Sequence, residues 1–421
     1  MSGDSSNPGI LQVSVVGGGI AGLTAALALR RNGHYVQIFE ASEAKTEIGA
    51  ALGVSPNALL VLDHLGISKE NLKGVPFHGG VFIDPESGES TVSRWPMAGD
   101  IINRAYVVIG AIYTGNSSVP RQAKAEGPPV KLRFGARVTA CDPENGTISL
   151  NSGEIVRADL ILGADGGGHS VIRTHVVGEV QKMTYSGVAC FRTVFEFPER
   201  PELRWLTEEI AGPRTFASKE GPFRMLLIYP CRDGKLLNFV GFYDDPMQDL
   251  NEWSPKASRE DIIARFQGFH PKFLSVLDLP PHSEILKWRL GVLPLLPTWI
   301  RGRAALVGDA AHASLPFLGQ GAAMAIEDAG AIGCLFPAGT RPKDVPERLK
   351  AYQDIRKERG EFVNTGSVEQ LQHMRSGGSF GRINTVGMAR LYSYDTIKTA
   401  QQCYQERFGN NLPANFVHSR L

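Results

Sequence analysis

The sequence predicts an α/β protein: a sheet assembled from segments far apart in the chain, a second sheet inserted between them, and a helical tail. Three observations predict it. Residues 13–40, VSVVGGGIAGLTAALALRRNGHYVQIFE, run strand, glycine turn, helix, strand. Two later apolar runs, beginning at 158 and 303, end in the turns Asp165-Gly166 and Gly308-Asp309. Between them, from about 180 to 286, stretches such as MTYSGVACFRTVFEF and FRMLLIYPCRDGKLLNFVGFY alternate with period two.

The first segment carries the most specific chemistry. Residues 13–16 read as a buried strand, 20–31 as a helix closed by Gly33, and 35–39 as a second strand ending at Glu40. Gly17, Gly19 and Gly22 fit G-x-G-x-x-G. Gly17 permits the tight turn, Gly19 lets backbone N–H groups approach a pyrophosphate, and Gly22 lets helix and strand pack closely. The helix N-terminus adds unpaired donors and positive dipole. Glu40 can accept from a ribose 2′-hydroxyl and disfavours a 2′-phosphate, so the nucleotide is FAD or NAD rather than NADP. A glycine cluster alone is often only a turn. Here the strands, the helix and the terminal acid are in register.

Further along, ADLILGADGGGHSVIR (158–173) is a strand entering Asp165-Gly166. RAALVGDAAHASLPFLGQGAAMAIEDA (303–329) is a strand entering Gly308-Asp309, then a Pro/Gly loop, then a helix from about Gly321. The GQG before that helix offers a second set of donors for an anionic or carbonyl-rich ring. His312, after DAA, reads as a packed scaffold residue. The inserted sheet is expected to have one covered face. The tail opens with KDVPERLKAYQDIRKERGEFV, whose alternating charges suggest a solvated helix face. MRSGGSFGRINTVG is a Gly/Ser-rich break.

Composition excludes several classes. The 421 residues carry 44 Lys+Arg against 43 Asp+Glu, a formal charge of +1 with no polyelectrolyte signature, so nucleic acid is not an expected partner. Cys141, Cys190, Cys231, Cys334 and Cys403 show no metal or CxxC spacing and read as reduced structural thiols; no metal site is expected. The N-terminal residues lack secretory character, and no apolar run approaches a membrane span. The sequons at Asn116 and Asn145 then carry no weight, and a cytoplasmic monomer or homodimer is expected.

The ordered set of GxGxxG with Glu40, EIGAALGVSPNALLVLDHLGI, the DG turn, WIRGRAALVGDAAH with the GQG loop, and YQDIRKERGEFV resembles the single-component flavoprotein aromatic hydroxylases, the para-hydroxybenzoate and salicylate hydroxylase group, with fungal salicylate-hydroxylase-like monooxygenases nearest in look. The resemblance spans most of residues 10–365. It implies a glutathione-reductase-like FAD-binding (Rossmann-type) domain from 8–178 and 287–345, a substrate-binding β-sheet domain over 179–286 and C-terminal helices over 346–421. It implies FAD held by Gly17, Gly19, Gly22, Glu40, Gly53, Arg104, Asp165, Gly166, Asp309, Pro316, Gly319, Gln320, Gly321 and Ala322. NADH or NADPH would dock transiently, since there is no second GxGxxG. O2 would form a flavin C4a-hydroperoxide that hydroxylates a phenolic or aromatic substrate, with or without decarboxylation. Secondary metabolism is a suspected setting. Arg192, mid-strand, and Tyr229, beside Pro230, are expected to contact the substrate's acidic group. Met225, Leu227 and Phe317 would be apolar wall. Phe317 stands where some salicylate hydroxylases carry a histidine, which weighs against salicylate itself.

Two departures qualify this. After Arg104 the chain reads AYVVIGAIYTGNSSVPRQAKAEGPP, a poor helix where relatives have a good one. A gene-model artefact over 105–121 would leave an inactive flavin-fold protein. ADGGGHS also carries one residue more than the usual ADGxxS, which would displace Ser170. Epoxidation of a non-aromatic, isoprenoid substrate is the other alternative, although the tail QERFGNNLPANFVHSRL is no membrane anchor. A halogenase is disfavoured because Trp95, Trp205, Trp253, Trp288 and Trp299 form no Trp-x-Trp pair.

Overall fold

The computed structural model describes residues 9–43, 51–72, 74–94, 106–110, 127–197, 200–208, 210–245, 256–277, 285–378 and 385–409. Arg104 and most of the 105–121 segment lie outside them.

The first sheet has six strands, in the order Ile300–Arg301, Ala304–Leu306, Leu160–Gly163, Gln12–Val16, Tyr35–Phe39, Lys131–Arg133. All pairs are parallel except the hairpin at 300–306. Parallel strands are covered on both faces, which is why Leu160–Gly163 is wholly buried and reads as a continuous apolar run. Helix Ile20–Arg31 follows the first strand and ends as predicted, with Gly33 at a left-handed φ of 86°. Helix Gly321–Leu335 is buried from Ala323 to its end and packs against Ile20–Arg31. A Cβ at Gly333 would lie only 2.9 Å from the Ala28 methyl, so the two helices meet through small residues.

The second sheet has eight strands: Lys256–Ala257, Ile285–Val292, Thr184–Glu196, Leu236–Asp244, Arg224–Cys231, Arg214–Ala217, Gly79–Ile83, Ser90–Arg94. It takes its last two strands from outside residues 179–286. It also has two covered faces, not one. Phe191, Phe216, Leu226 and Phe239 pack on one side with Ile262, Phe266 and Phe273. Val188, Cys190, Met225 and Phe242 pack on the other with Phe317, Leu371 and Met374. The alternation in the sequence distinguishes two cores, not core from solvent.

A small antiparallel sheet joins Ala51–Val54 and Val75–Phe77 through Tyr106–Gly110. The β-branched run after Arg104, a poor helix, is here a central strand. The tail is helical over Val345–Arg375, Thr385–Tyr392 and Thr396–Phe408. Its first helix has the expected solvated face, with Glu347, Lys350, Asp354 and Glu358 exposed, but its other face buries three of the charges, Arg348, Arg356 and Arg359.

All five cysteines are buried and unpaired, and burial pushes Cys190 and Cys231 up to about 12, so both stay thiols at neutral pH. His34 is fully buried at the entry to its strand. Its Nδ1 accepts from the Leu11 N–H at 3.2 Å, and its Nε2 donates to the Phe336 carbonyl at 2.9 Å, a pairing that requires the neutral ring. Burial lowers its pKa. The unfolded chain therefore binds the extra proton first, and stability should fall as pH drops below about 6.5. His34→Gln keeps one donor and one acceptor without a titrating ring. It should flatten the acid side of a Tm-against-pH curve; an unaltered acid side would exclude His34 as a source.

Candidate cofactor and substrate site

Four neighbouring parallel strands present their carboxyl ends along one edge, the usual ligand edge of such a sheet. From those ends emerge Gly308-Asp309, Asp165-Gly166, the 17–22 glycines and Glu40. Topology thus gathers residues nearly 300 positions apart. Packing then fixes them. Gly17 has φ 106°, and a Cβ there would lie 2.2 Å from the Ala164 carbonyl oxygen. A Cβ at Gly22 would lie 2.0 Å from the Gly17 carbonyl oxygen. Gly308, with φ 61°, approaches Ala21 so closely that a Cβ would come within 2.7 Å of its methyl.

Gly19 differs: it caps helix Ile20–Arg31, and a Cβ on it would meet nothing within 4 Å. The helix has no side-chain cap and no acid in its first turn, so its N–H groups face open space. Glu40 accepts from the Gly18 N–H at 2.7 Å and the Ser42 N–H at 2.8 Å. Burial pushes its carboxyl up, but the Ser42, Gly18 and Ala41 N–H groups and the Ser42 hydroxyl together outweigh it and hold the group below its ordinary value. An ionised acid next to open helix donors fits the ribose and pyrophosphate of a dinucleotide.

Asp165 accepts from the Ser170 hydroxyl at 2.5 Å and the Ile172 N–H at 3.1 Å. Ser170 also caps helix Val171–Val177 by accepting from the Arg173 N–H. With the extra residue of ADGGGHS in between, Ser170 still reaches both Asp165 and the helix start. Arg173, absent from the sequence expectations, donates to the carbonyls of Gly166, Gly167, Gly168 and Ala310 at 2.8–3.3 Å, tying the DG turn to the GD turn. Its place on the same short helix as Ser170 was the available signal. Burial pushes the Asp165 carboxyl above its usual range.

Asp309 is reached by solvent and makes no hydrogen bond among the described residues. Surrounding protein nevertheless pushes its carboxyl up, against the pull of His312. Both hold for a carboxylate set among packed atoms yet open to solvent on one side. His312 itself is buried, 2.7 Å from Asp328, with its ring against Trp299. Pro316 opens the turn Pro316–Leu318, Gly319 is left-handed at φ 62°, and Gln320 caps helix Gly321–Leu335. That helix start also lacks a side-chain cap and an early acid, and a Cβ at Gly321 would meet nothing within 4 Å. Ala322 follows on its first turn, and the helix packs on the strand Ala51–Val54 that carries Gly53. Two uncapped helix starts, glycine turns closed to any Cβ at Gly17, Gly22 and Gly308, and an acid open to solvent with no partner among the described residues fit FAD.

The two residues expected at the substrate converge on one peptide. Arg192 donates to the Ala51 carbonyl at 3.0 Å and stacks 5.2 Å over Trp288. Tyr229 reaches the same carbonyl at a long 3.4 Å. Asn238 accepts from the Ala51 N–H at 3.2 Å. Arg192 Nε and Asn238 Nδ2 are buried without a partner among the described residues. Burial pushes Tyr229 up to about 12, so it is a donor and not a base at neutral pH. Leu227 packs against both the Tyr229 cluster and the cluster of Met225 and Phe317, making one apolar wall. Asn238 and Trp288 were not foreseen, because they are a strand apart from Arg192 in sequence and meet it only through register.

Fold and site together define a FAD-dependent oxidoreductase. The family described as FAD binding domain matches residues 11–367. Hispidin-3-hydroxylase of Neonothopanus nambi is 36% identical over 375 residues, 86% of this chain and 88% of that one. Salicylate hydroxylase of Pseudomonas putida is 30% identical over 382 residues, 85% of this chain and 84% of that one. CtdE in complex with FAD and a substrate has the same fold, with TM-score 0.77 at 22% identity over 94% and 98% of the two chains. The chain belongs to this FAD-binding family, and it is a FAD-dependent monooxygenase.

Proposed function

We propose that the enzyme hydroxylates a phenolic aromatic substrate with O2 and NADH or NADPH. The convergence of Arg192 and Tyr229 at one end of the Leu227–Met225–Phe317 wall carries the reading. FAD, when bound by the 17–22 and 319–322 turns, supplies the electron transfer and oxygen activation. The chain supplies the rest. Arg192 is a fixed cation, so a phenol oxygen beside it is more readily ionised and its ring more electron-rich. Tyr229, held protonated, donates to that oxygen by turning its single O–H away from the long 3.4 Å contact with the Ala51 carbonyl. The aromatic and aliphatic wall keeps water from the reacting carbon.

The fungal relatives, FAD-dependent monooxygenases of Aspergillus candidus among them, support a secondary-metabolite phenol over a catabolic one. The test is a panel of phenols and hydroxy acids, following nicotinamide oxidation and product mass with the FAD-loaded protein. A product gaining one oxygen on the ring, with CO2 retained, is expected. An epoxide, or oxidation stimulated only by non-aromatic alkenes, would overturn the aromatic reading. Arg192→Ala should lower substrate-dependent turnover by on the order of a hundredfold, with Arg192→Lys recovering part. Unchanged turnover and KM in Arg192→Ala would remove it from the site.

A further inference from the structure

Helix Pro56–His64 begins Ser55-Pro56-Asn57, which reads as an ordinary helix start: a hydroxyl cap, then proline in the first turn. The side chains are used otherwise. Ser55 is fully buried and makes no cap hydrogen bond to its own helix. Its hydroxyl instead accepts from Gln320 Nε2 at 3.3 Å. Asn57, also fully buried, donates from Nδ2 to Gln320 Oε1 at 3.1 Å and to Glu327 Oε1 at 2.7 Å. Its own Oδ1 is left without a partner among the described residues. A buried polar atom without a partner is unfavourable, and retaining it needs a compensating use of the same side chain. The only groups these two side chains serve, among the described residues, are the Gln320 amide and the helix that Gln320 caps.

Gln320 lies between Gly319, in the left-handed region, and Gly321, whose outer side is open. Its side chain points into the protein, so clamping the amide at both ends sets the orientation of the peptides on either side. Asn57 continues inward through Glu327 to Arg356, 2.8 Å away, and Arg356 also contacts Asp328 at 2.9 Å. Asp328 accepts from the Gly308 N–H at 2.8 Å. A single buried chain of contacts thus runs from the GQG turn to the GD turn.

We propose that Asn57, assisted by Ser55, is a positioning residue that aims the 319–322 backbone donors at the flavin. The proposal rests on the reading that this turn holds the flavin ring. Misaimed donors would weaken FAD binding and give less stabilisation to the negative charge that reduction places on the ring, lowering the midpoint potential.

The test compares three variants of the full chain by FAD titration of apoprotein, by midpoint potential and by Tm. Asn57→Ala should raise the Kd for FAD at least tenfold and shift the potential to more negative values. Asn32→Ala is the control. Asn32 donates to the carbonyls of Gly333 and Phe336, at 2.8 and 2.9 Å, at the far end of the same helix. It should lower Tm comparably with neither effect on the flavin. Gly321→Leu fills the open side of the turn and should weaken FAD binding without lowering the apoprotein Tm. If Gly321→Leu binds FAD normally, the underlying reading fails. If Gly321→Leu weakens binding but Asn57→Ala matches Asn32→Ala in Kd and potential, the positioning role alone is wrong. Should Asn57→Ala not fold, Ser55→Ala, which removes only the 3.3 Å contact, must show the same two flavin effects in smaller degree.

Discussion

Arg356→Met is expected to destabilise the fold by about 3–5 kcal/mol, the usual consequence of removing one partner from a buried ion pair. Arg356 is fully buried and is the only described side chain that bonds both Glu327 and Asp328, two fully buried acids adjacent in sequence. Arg359 still reaches Glu327 at 3.1 Å, but among the described residues Asp328 would keep no cation except His312, beside the Gly308 N–H and the neutral Tyr352 hydroxyl. Burial pushes the Asp328 carboxyl up, and at present His312 and Arg356 overcome it. Without Arg356 the acid must either take up a proton or stay charged with half its compensation. Two comparisons sharpen the measurement. Arg407→Met breaks a half-exposed pair with Asp354 and should change stability by no more than about 1 kcal/mol. Arg356→Met combined with Asp328→Asn should recover part of the loss, because the second change removes the uncompensated charge. If Arg356→Met unfolds at the same denaturant concentration as Arg407→Met, the buried network is not what holds the tail to the cofactor domain.

That network also marks the limit of what the sequence discloses. The glycine turns, Glu40, Asp165, Asp309 and the helix from Gly321 are legible because each requirement is local: a turn only glycine can make, an acid ending a strand, a helix start. The inserted sheet is legible as strands but not as a layer, since period-two alternation looks the same whether the second face meets water or another core. The tail is legible only on its solvated face, for a related reason. Charges spaced along YQDIRKERGEFV suit a solvated face unless acids elsewhere neutralise them, and Glu327 and Asp328 sit in a segment that otherwise reads as an apolar helix. Arg173, Asn238 and Asn57 are invisible in sequence because their roles are defined by partners brought in by sheet register or helix crossing.

Gly22→Ala is expected to abolish FAD retention, and the comparison with Gly19→Ala explains why the two glycines differ. An alanine methyl at Gly22 would stand 2.0 Å from the Gly17 carbonyl oxygen and 3.0 Å from the Val15 side chain. Neither the backbone nor the central strand can yield, so the helix must move away from the sheet. A displacement of about 1 Å at positioned donors lowers their effect on the order of a hundredfold. The same displacement opens a core that includes Ala21, Ala25 and Leu29, so Tm should fall as well. At Gly19 the methyl would meet nothing within 4 Å, and φ is an ordinary −77°. Gly19→Ala should therefore keep the apoprotein's Tm. Yet the space it fills is the space through which a pyrophosphate must approach the helix donors. Its Kd for FAD should rise while its stability does not change. Flavin absorbance of the purified proteins and the melting temperatures of their apo forms separate the two cases. A Gly19→Ala protein that binds FAD like the wild type would place the pyrophosphate elsewhere than at the start of this helix.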